Sequence, residues 1–213
     1  MASSRPRPRP LQENHVFTAS GSSLIDAQAD RVWPAVIDFQ SYKMWNPLVR
    51  NQVVTDSRKN PLPDQTPRVG SHLYMYPVHL PPTMDDASIG VFSRGSAFCI
   101  LTALDHEDFK IAWRLSGLPT WILWSERWQW LTETEADLDD GKGKRWVTKY
   151  ESVEVFGGLA AYFVKWFVGS KLNQASEGTA ACQSSDVFFN SILGLTNALV
   201  FEYSSSPHDH IRA

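Results

Sequence analysis

Between residues 69 and 155 the chain keeps one hydrophobic period, and after Gly157-Gly158 it changes to another. Alternation of apolar and polar residues, with turn chemistry in between, predicts strands at about 69–80, 96–105, 109–116, 122–134 and 144–155. The interruptions are Pro81-Pro82, Asp105 to Asp108, Gly117-Leu118-Pro119 and Asp139 to Lys144. Short connections join antiparallel neighbours, so this region reads as a meander whose last polar loop closes a hairpin. Beyond the glycine pair, Leu159, Tyr162, Phe163, Trp166, Phe167 and Ser170 fall on one stripe of a helix over 158–174.

The first half supplies the remaining elements. Alternation over 15–27 predicts a strand. Val32, Trp33, Val36 and Ile37 follow Asp30 at helical spacing, with Asp30 as N-cap and Pro34 in the first turn. Tyr42 to Pro47 closes a second helical piece, and 51–56 reads as a short strand. The order is strand, two short helices, meander, long helix, which is α+β. The Arg-Pro run within residues 1–14 cannot form a helix and is expected to be an extended or disordered arm. Residues 15–178 are expected to form the domain, and 179–213 an apolar helix and tail. Residues 187–201 are apolar around most of a helix, too short for a span, and predict a surface for self-association or weak membrane contact.

A net charge of −3 gives no footprint for nucleic acid. No window is apolar enough for a transmembrane span. Cys99 and Cys182 have neither metal nor disulfide-framework spacing. With no apolar signal region at the N-terminus, a reducing cytoplasmic setting is expected. No zinc spacing, phosphate loop or nucleophile elbow is present in the sequence, so no metal or other cofactor is expected.

Aromatic residues carry the functional reading. Seven of the nine tryptophans lie between Trp113 and Trp166. Such a cluster builds either a large core or a ring-lined pocket. Parity on 122–132 groups Ile122, Trp124, Glu126, Trp128 and Trp130 against Leu123, Ser125, Arg127, Gln129 and Leu131, and the first set is taken as the buried face. On 144–155 the buried set is Trp146, Thr148, Tyr150, Ser152 and Glu154; on 109–115 it is Phe109, Ile111, Trp113 and Leu115. Periodicity leaves open which of His72/Tyr74/Tyr76 or Leu73/Met75 faces inward. A carboxylate among indoles must be protonated, paired or close to water. Glu126 is therefore either a proton-transfer group or a residue near the pocket mouth, satisfied by a neighbouring arginine or by backbone.

Four markers in this order resemble the START-like (SRPBCC) superfamily over residues 15–177. They are Ala29 to Phe39 with Trp45-Asn46-Pro47, then Val69-Gly70, then Trp113 with Glu126-Arg127-Trp128, and finally Glu154 to Gly158. The resemblance implies a helix-grip fold: a curved antiparallel sheet around a long C-terminal helix, with two short helices after the first strand. It also implies an internal pocket for a hydrophobic, aromatic or polyketide-like small molecule, and cyclase or dehydratase activity. On this reading Glu126 and Tyr150 move a proton or bond an enolate oxygen. Trp113, Trp124, Trp128, Trp146, Thr148, Glu154, Phe163 and Trp166 line the pocket. A non-catalytic lipid or sterol carrier would use the same cavity without proton transfer, and an interaction domain would fill it with its own tryptophans. The chain departs from such relatives after Gly178.

Overall fold

The computed structural model describes residues 15–79, 83–87, 90, 94–137, 144–163, 165 and 202–205. Strand β1 (Phe17–Ile25) leads into helix α1 (Ala29–Ile37), a 3-10 turn (Phe39–Ser41) and helix α2 (Tyr42–Trp45). Strands β2 (Gln52–Thr55), β3 (His72–His79), β4 (Arg94–Asp105), β5 (Lys110–Leu115), β6 (Trp124–Asp137) and β7 (Lys144–Gly157) follow, and β8 (Glu202–Ser205) lies within the C-terminal segment. All pairings are antiparallel, in the order β2-β3-β4-β5-β6-β7-β1-β8. The first strand thus returns to the far edge of the meander. Register shifts between Met75 and Val78 and between Leu101 and Ala103 bend the sheet.

The expected strands and both short helices are present, and β6 and β7 pair antiparallel as far as Asp137 opposite Lys144; the predicted turn between them lies outside the described residues. Two details differ at α1. The helix starts at Ala29, so the N-cap is Gln28 rather than Asp30, and Pro34 lies inside the helix rather than in its first turn. The cap comes from far along the chain: Glu133 Oε1 on β6 accepts the Ala29 amide at 3.2 Å. A carboxylate at a helix N-terminus satisfies an orphan donor and complements the dipole, and here it also pins α1 to the sheet.

One sheet face carries the core. Val54, Leu73, Leu101, Ile111, Leu131, Tyr150 and Ile25 contribute from successive strands and pack with Val32, Trp33, Val36, Phe39, Tyr42 and Trp45 of the helical section. Tyr42 is 1% exposed, and its hydroxyl donates to the Val36 carbonyl at 2.7 Å. That bond ties α2 back onto α1. Leu73 and Met75 point into this core, which settles the parity of β3: His72, Tyr74 and Tyr76 face outward. There His72 stacks on Phe98, and Lys59 Nζ lies 5.6 Å from the Tyr74 ring centre and 5.3 Å from that of Phe98.

Gly157-Gly158 makes the strand-to-helix corner for two steric reasons. Trp124 lies opposite Gly157 in the register, and a Cβ at Gly157 would sit inside the Trp124 indole. Gly158 has φ +89°, and a Cβ there would meet the Ile122 carbonyl oxygen at 2.7 Å. The corner is held by Leu159 and Ala160 amides donating to the Trp121 and Ile122 carbonyls at 3.0 and 2.7 Å. A helix begins at 161, and most of the predicted 158–174 span lies outside the described residues, as do 1–14 and 187–201.

Candidate functional site

Register identifies the residues that share the inner face, the one on which α1 and α2 pack. Trp113 on β5 is opposite Arg127 on β6, Arg127 is opposite Glu154 on β7, and Glu154 is opposite Ala19 on β1. Gln129 is opposite Ile111 and Ser152, and Leu131 is opposite Tyr150. Directly opposed residues lie on one face. The inner face of β6 is therefore Ser125, Arg127, Gln129 and Leu131, the reverse of the apolar-parity expectation.

Trp124, Glu126 and Trp128 consequently lie on the outer face and do not line the inner wall. The tryptophans there are accommodated by cross-strand neighbours: Trp124 covers Gly157, and Trp130 Nε1 donates to Glu151 Oε2 at 3.0 Å. Glu126, 4% exposed, stands directly opposite Arg114, the arginine-neighbour alternative raised from sequence. Parity failed on this strand because β6 places its polar residues where β7 offers polar partners.

The other assignments divide. Trp113 and Tyr150 are buried on the inner face as expected. Trp113 packs edge-on to Phe39, with ring centres 6.4 Å apart. Thr148 is buried, but its hydroxyl donates to the Ala27 carbonyl at 2.6 Å, which makes it an anchor for the β1–α1 connection. Trp146 has inner-face parity yet lies near the hairpin end and is 57% exposed. Phe163 is 75% exposed, because Ala161 is the buried residue of that first turn; Leu159 and Tyr162 are exposed beside it. Trp166 lies outside the described residues.

The inner wall is thus a polar stripe in an apolar frame. Arg127 Nε and a terminal guanidinium nitrogen both donate to Glu154 Oε2, at 2.8 and 2.6 Å, with 16% of each side chain exposed. Burial is the largest single influence on the Arg127 pKa and works to lower it, but Glu154, Tyr150 and Cys99 together outweigh it and hold that pKa above its ordinary value. Burial pushes the Tyr150 phenol up to about 12, against smaller opposite effects from Arg127 and its hydrogen bond with Ser152. Burial raises Tyr42 well above its usual value, and pushes the Cys99 thiol on β4 up to about 12. At neutral pH the stripe therefore offers one ion pair and neutral hydroxyl donors. Tyr150 is suited to donate a hydrogen bond and not to act as a base. Among the described residues no group of three His, Cys, Asp or Glu side chains could hold a metal ion, and no helix is long and apolar enough to cross a membrane.

These pKa shifts set an alkaline limit. Below pH 9 the Cys99 and Tyr150 groups hold their protons in both states. Between pH 9 and 12 the unfolded chain releases protons that the folded chain keeps, so stability falls as pH rises through that window. Tyr150 alone accounts for roughly 2–3 kcal/mol of the loss. Urea midpoints at pH 8, 10 and 11.5 should decline steeply after the first; a flat series would contradict the burial of these groups.

Sequence reasoning had left Arg127 and Gln129 out of the site. The element order, the short helical pair and the glycine corner now stand together with a sheet closed by its first strand. The fold is the expected α+β arrangement of a bent antiparallel sheet with two short helices after its first strand. No family model matches the chain. It is similar to oxopyrrolidines biosynthesis cluster protein O of Penicillium oxalicum, 29% identical over 169 residues, covering 72% of this chain and 78% of that protein. Solved structures that align with it include a START superfamily protein from Mycobacterium smegmatis, at 15% identity and TM-score 0.43, covering 76% of this chain and 92% of that one. Major latex-like protein 151 from Panax ginseng aligns at 8% identity and TM-score 0.47, over 86% and 95% of the two chains. Ara h 8.0201 aligns at 14% and 0.41, over 83% and 95%.

Proposed function

We propose that the inner face, between the sheet and α1–α2, binds a hydrophobic small molecule of secondary metabolism. The observation that carries this reading is the polar stripe itself. A core built only for stability gains little from an ion pair, since desolvation offsets most of its Coulombic energy. A binding site needs a few fixed polar groups in an apolar wall to orient its ligand. The biosynthesis-cluster relative supports the metabolic setting.

Cyclase or dehydratase chemistry is the finer form of the proposal. The wall would fold a reactive chain into a near-attack shape. The Tyr150 hydroxyl, kept protonated by burial, would hydrogen-bond an enolate oxygen as charge develops. Glu126 takes no part, because it belongs to the other face. Native mass spectrometry after gentle purification tests the binding claim. A co-purified polyketide-like or aromatic compound is the expected result; a phospholipid or sterol would make the protein a carrier instead. A homogeneous bare mass that also fails to take up 1-anilinonaphthalene-8-sulfonate would refute the binding reading.

A further inference from the structure

Resting on that reading, we infer that the stripe formed by Arg127, Glu154 and Gln129 recognises a lactam head group on an otherwise apolar ligand. The acceptors come first. Both Arg127 hydrogen bonds go to Glu154 Oε2, so among the described residues Glu154 Oε1 accepts none. Gln129 is 3% exposed, and its Oε1 is buried with no hydrogen-bond partner. A buried polar atom left unpaired carries a desolvation cost that a ligand donor would relieve.

The side chains of β1 bear on the room for such a ligand. Its inner-face residues Ala19, Gly21 and Ser23 lie opposite Glu154, Ser152 and Tyr150. Small side chains at three successive inner positions occupy less of the volume beside the buried stripe than the large ones of a filled core would.

Charge then selects the class. A ligand carboxylate would meet Glu154, and a ligand ammonium would meet Arg127, so the head group is neutral. Unpaired acceptors call for a ligand N–H or O–H, and the Arg127 guanidinium, with five N–H groups and two hydrogen bonds to Glu154, has donors left for a ligand carbonyl. The ligand must show a donor and an acceptor along one edge. A lactam does so, because its ring forces the amide to be cis. An open-chain secondary amide is trans, and its N–H and C=O point in opposite directions.

Three probes with the same apolar tail separate the possibilities: 5-decylpyrrolidin-2-one, its N-methyl derivative and 2-decylcyclopentanone, each titrated as a competitor of bound 1-anilinonaphthalene-8-sulfonate. The lactam is expected to bind at least tenfold more tightly than either analogue. In Gln129→Met that preference should shrink to threefold or less. Equal binding of all three probes by the wild-type protein would overturn the lactam subsite and leave the apolar pocket standing. Failure of the fluorophore and of every probe to bind would overturn both.

Discussion

Replacing Arg127 by methionine is expected to cost about 3 kcal/mol of stability, at the lower end of the range for breaking a buried ion pair because part of each side chain is exposed. Most of the loss comes from what remains. Glu154 would be left in an apolar frame without its partner. The double variant Arg127→Met/Glu154→Leu should therefore recover most of that stability, since paired replacement of buried ions by apolar side chains is often close to neutral. Urea denaturation of the three proteins reads the cycle. The double variant should nevertheless lose the preference among polar head groups, which separates the pair's role in recognition from its role in stability. A single-variant cost under about 1 kcal/mol, typical of surface pairs, would show that Arg127 and Glu154 face water.

Gly158→Ala is expected to be comparably damaging, at about 2–4 kcal/mol. The left-handed backbone costs an L-residue roughly 1–2 kcal/mol, and the new Cβ would press on Ile122 and Thr120 backbone atoms that cannot swing away. Gly70 provides the comparison. It has φ +90°, but a Cβ there meets nothing within 4 Å, so Gly70→Ala should show the backbone term alone. Thermal unfolding of both variants measures the difference. Equal shifts in melting temperature would mean that close packing at the corner contributes nothing.

The architecture was legible in the sequence because period and turn chemistry are local. Alternation marked β3 to β7, the Asp139–Lys144 loop marked the hairpin, and two adjacent glycines marked a corner whose steric reason the structure supplies. Sidedness was less legible. Counting apolar residues on β6 favours Trp124, Trp128 and Trp130, yet indoles on an outer face can bury themselves against a glycine or bond a cross-strand carboxylate, as Trp124 and Trp130 do. Counting register back from the hairpin loop is the better guide. It sets Arg127 opposite Glu154 and Gln129 opposite Ser152, joining polar residues that parity on a single strand keeps apart. On β3, where Leu73 and Met75 compete with two tyrosines, only the third dimension decides. The start of the last helix was visible from its period, but its phase was not: Ala161 is buried and Phe163 is turned outward.

On the proposed reading, ligand binds on the inner face defined by Trp113, Arg127 and Tyr150. Indole N–H resonances test it most directly, because the tryptophans sample both faces and the exterior. On titration with 1-anilinonaphthalene-8-sulfonate or the co-purified compound, the Trp113 signal should shift progressively. Those of Trp121 and Trp146, which are 67% and 57% exposed, should stay in place. Shifts confined to Trp121, with Trp113 unmoved at saturation, would place the ligand away from the inner wall and refute binding there.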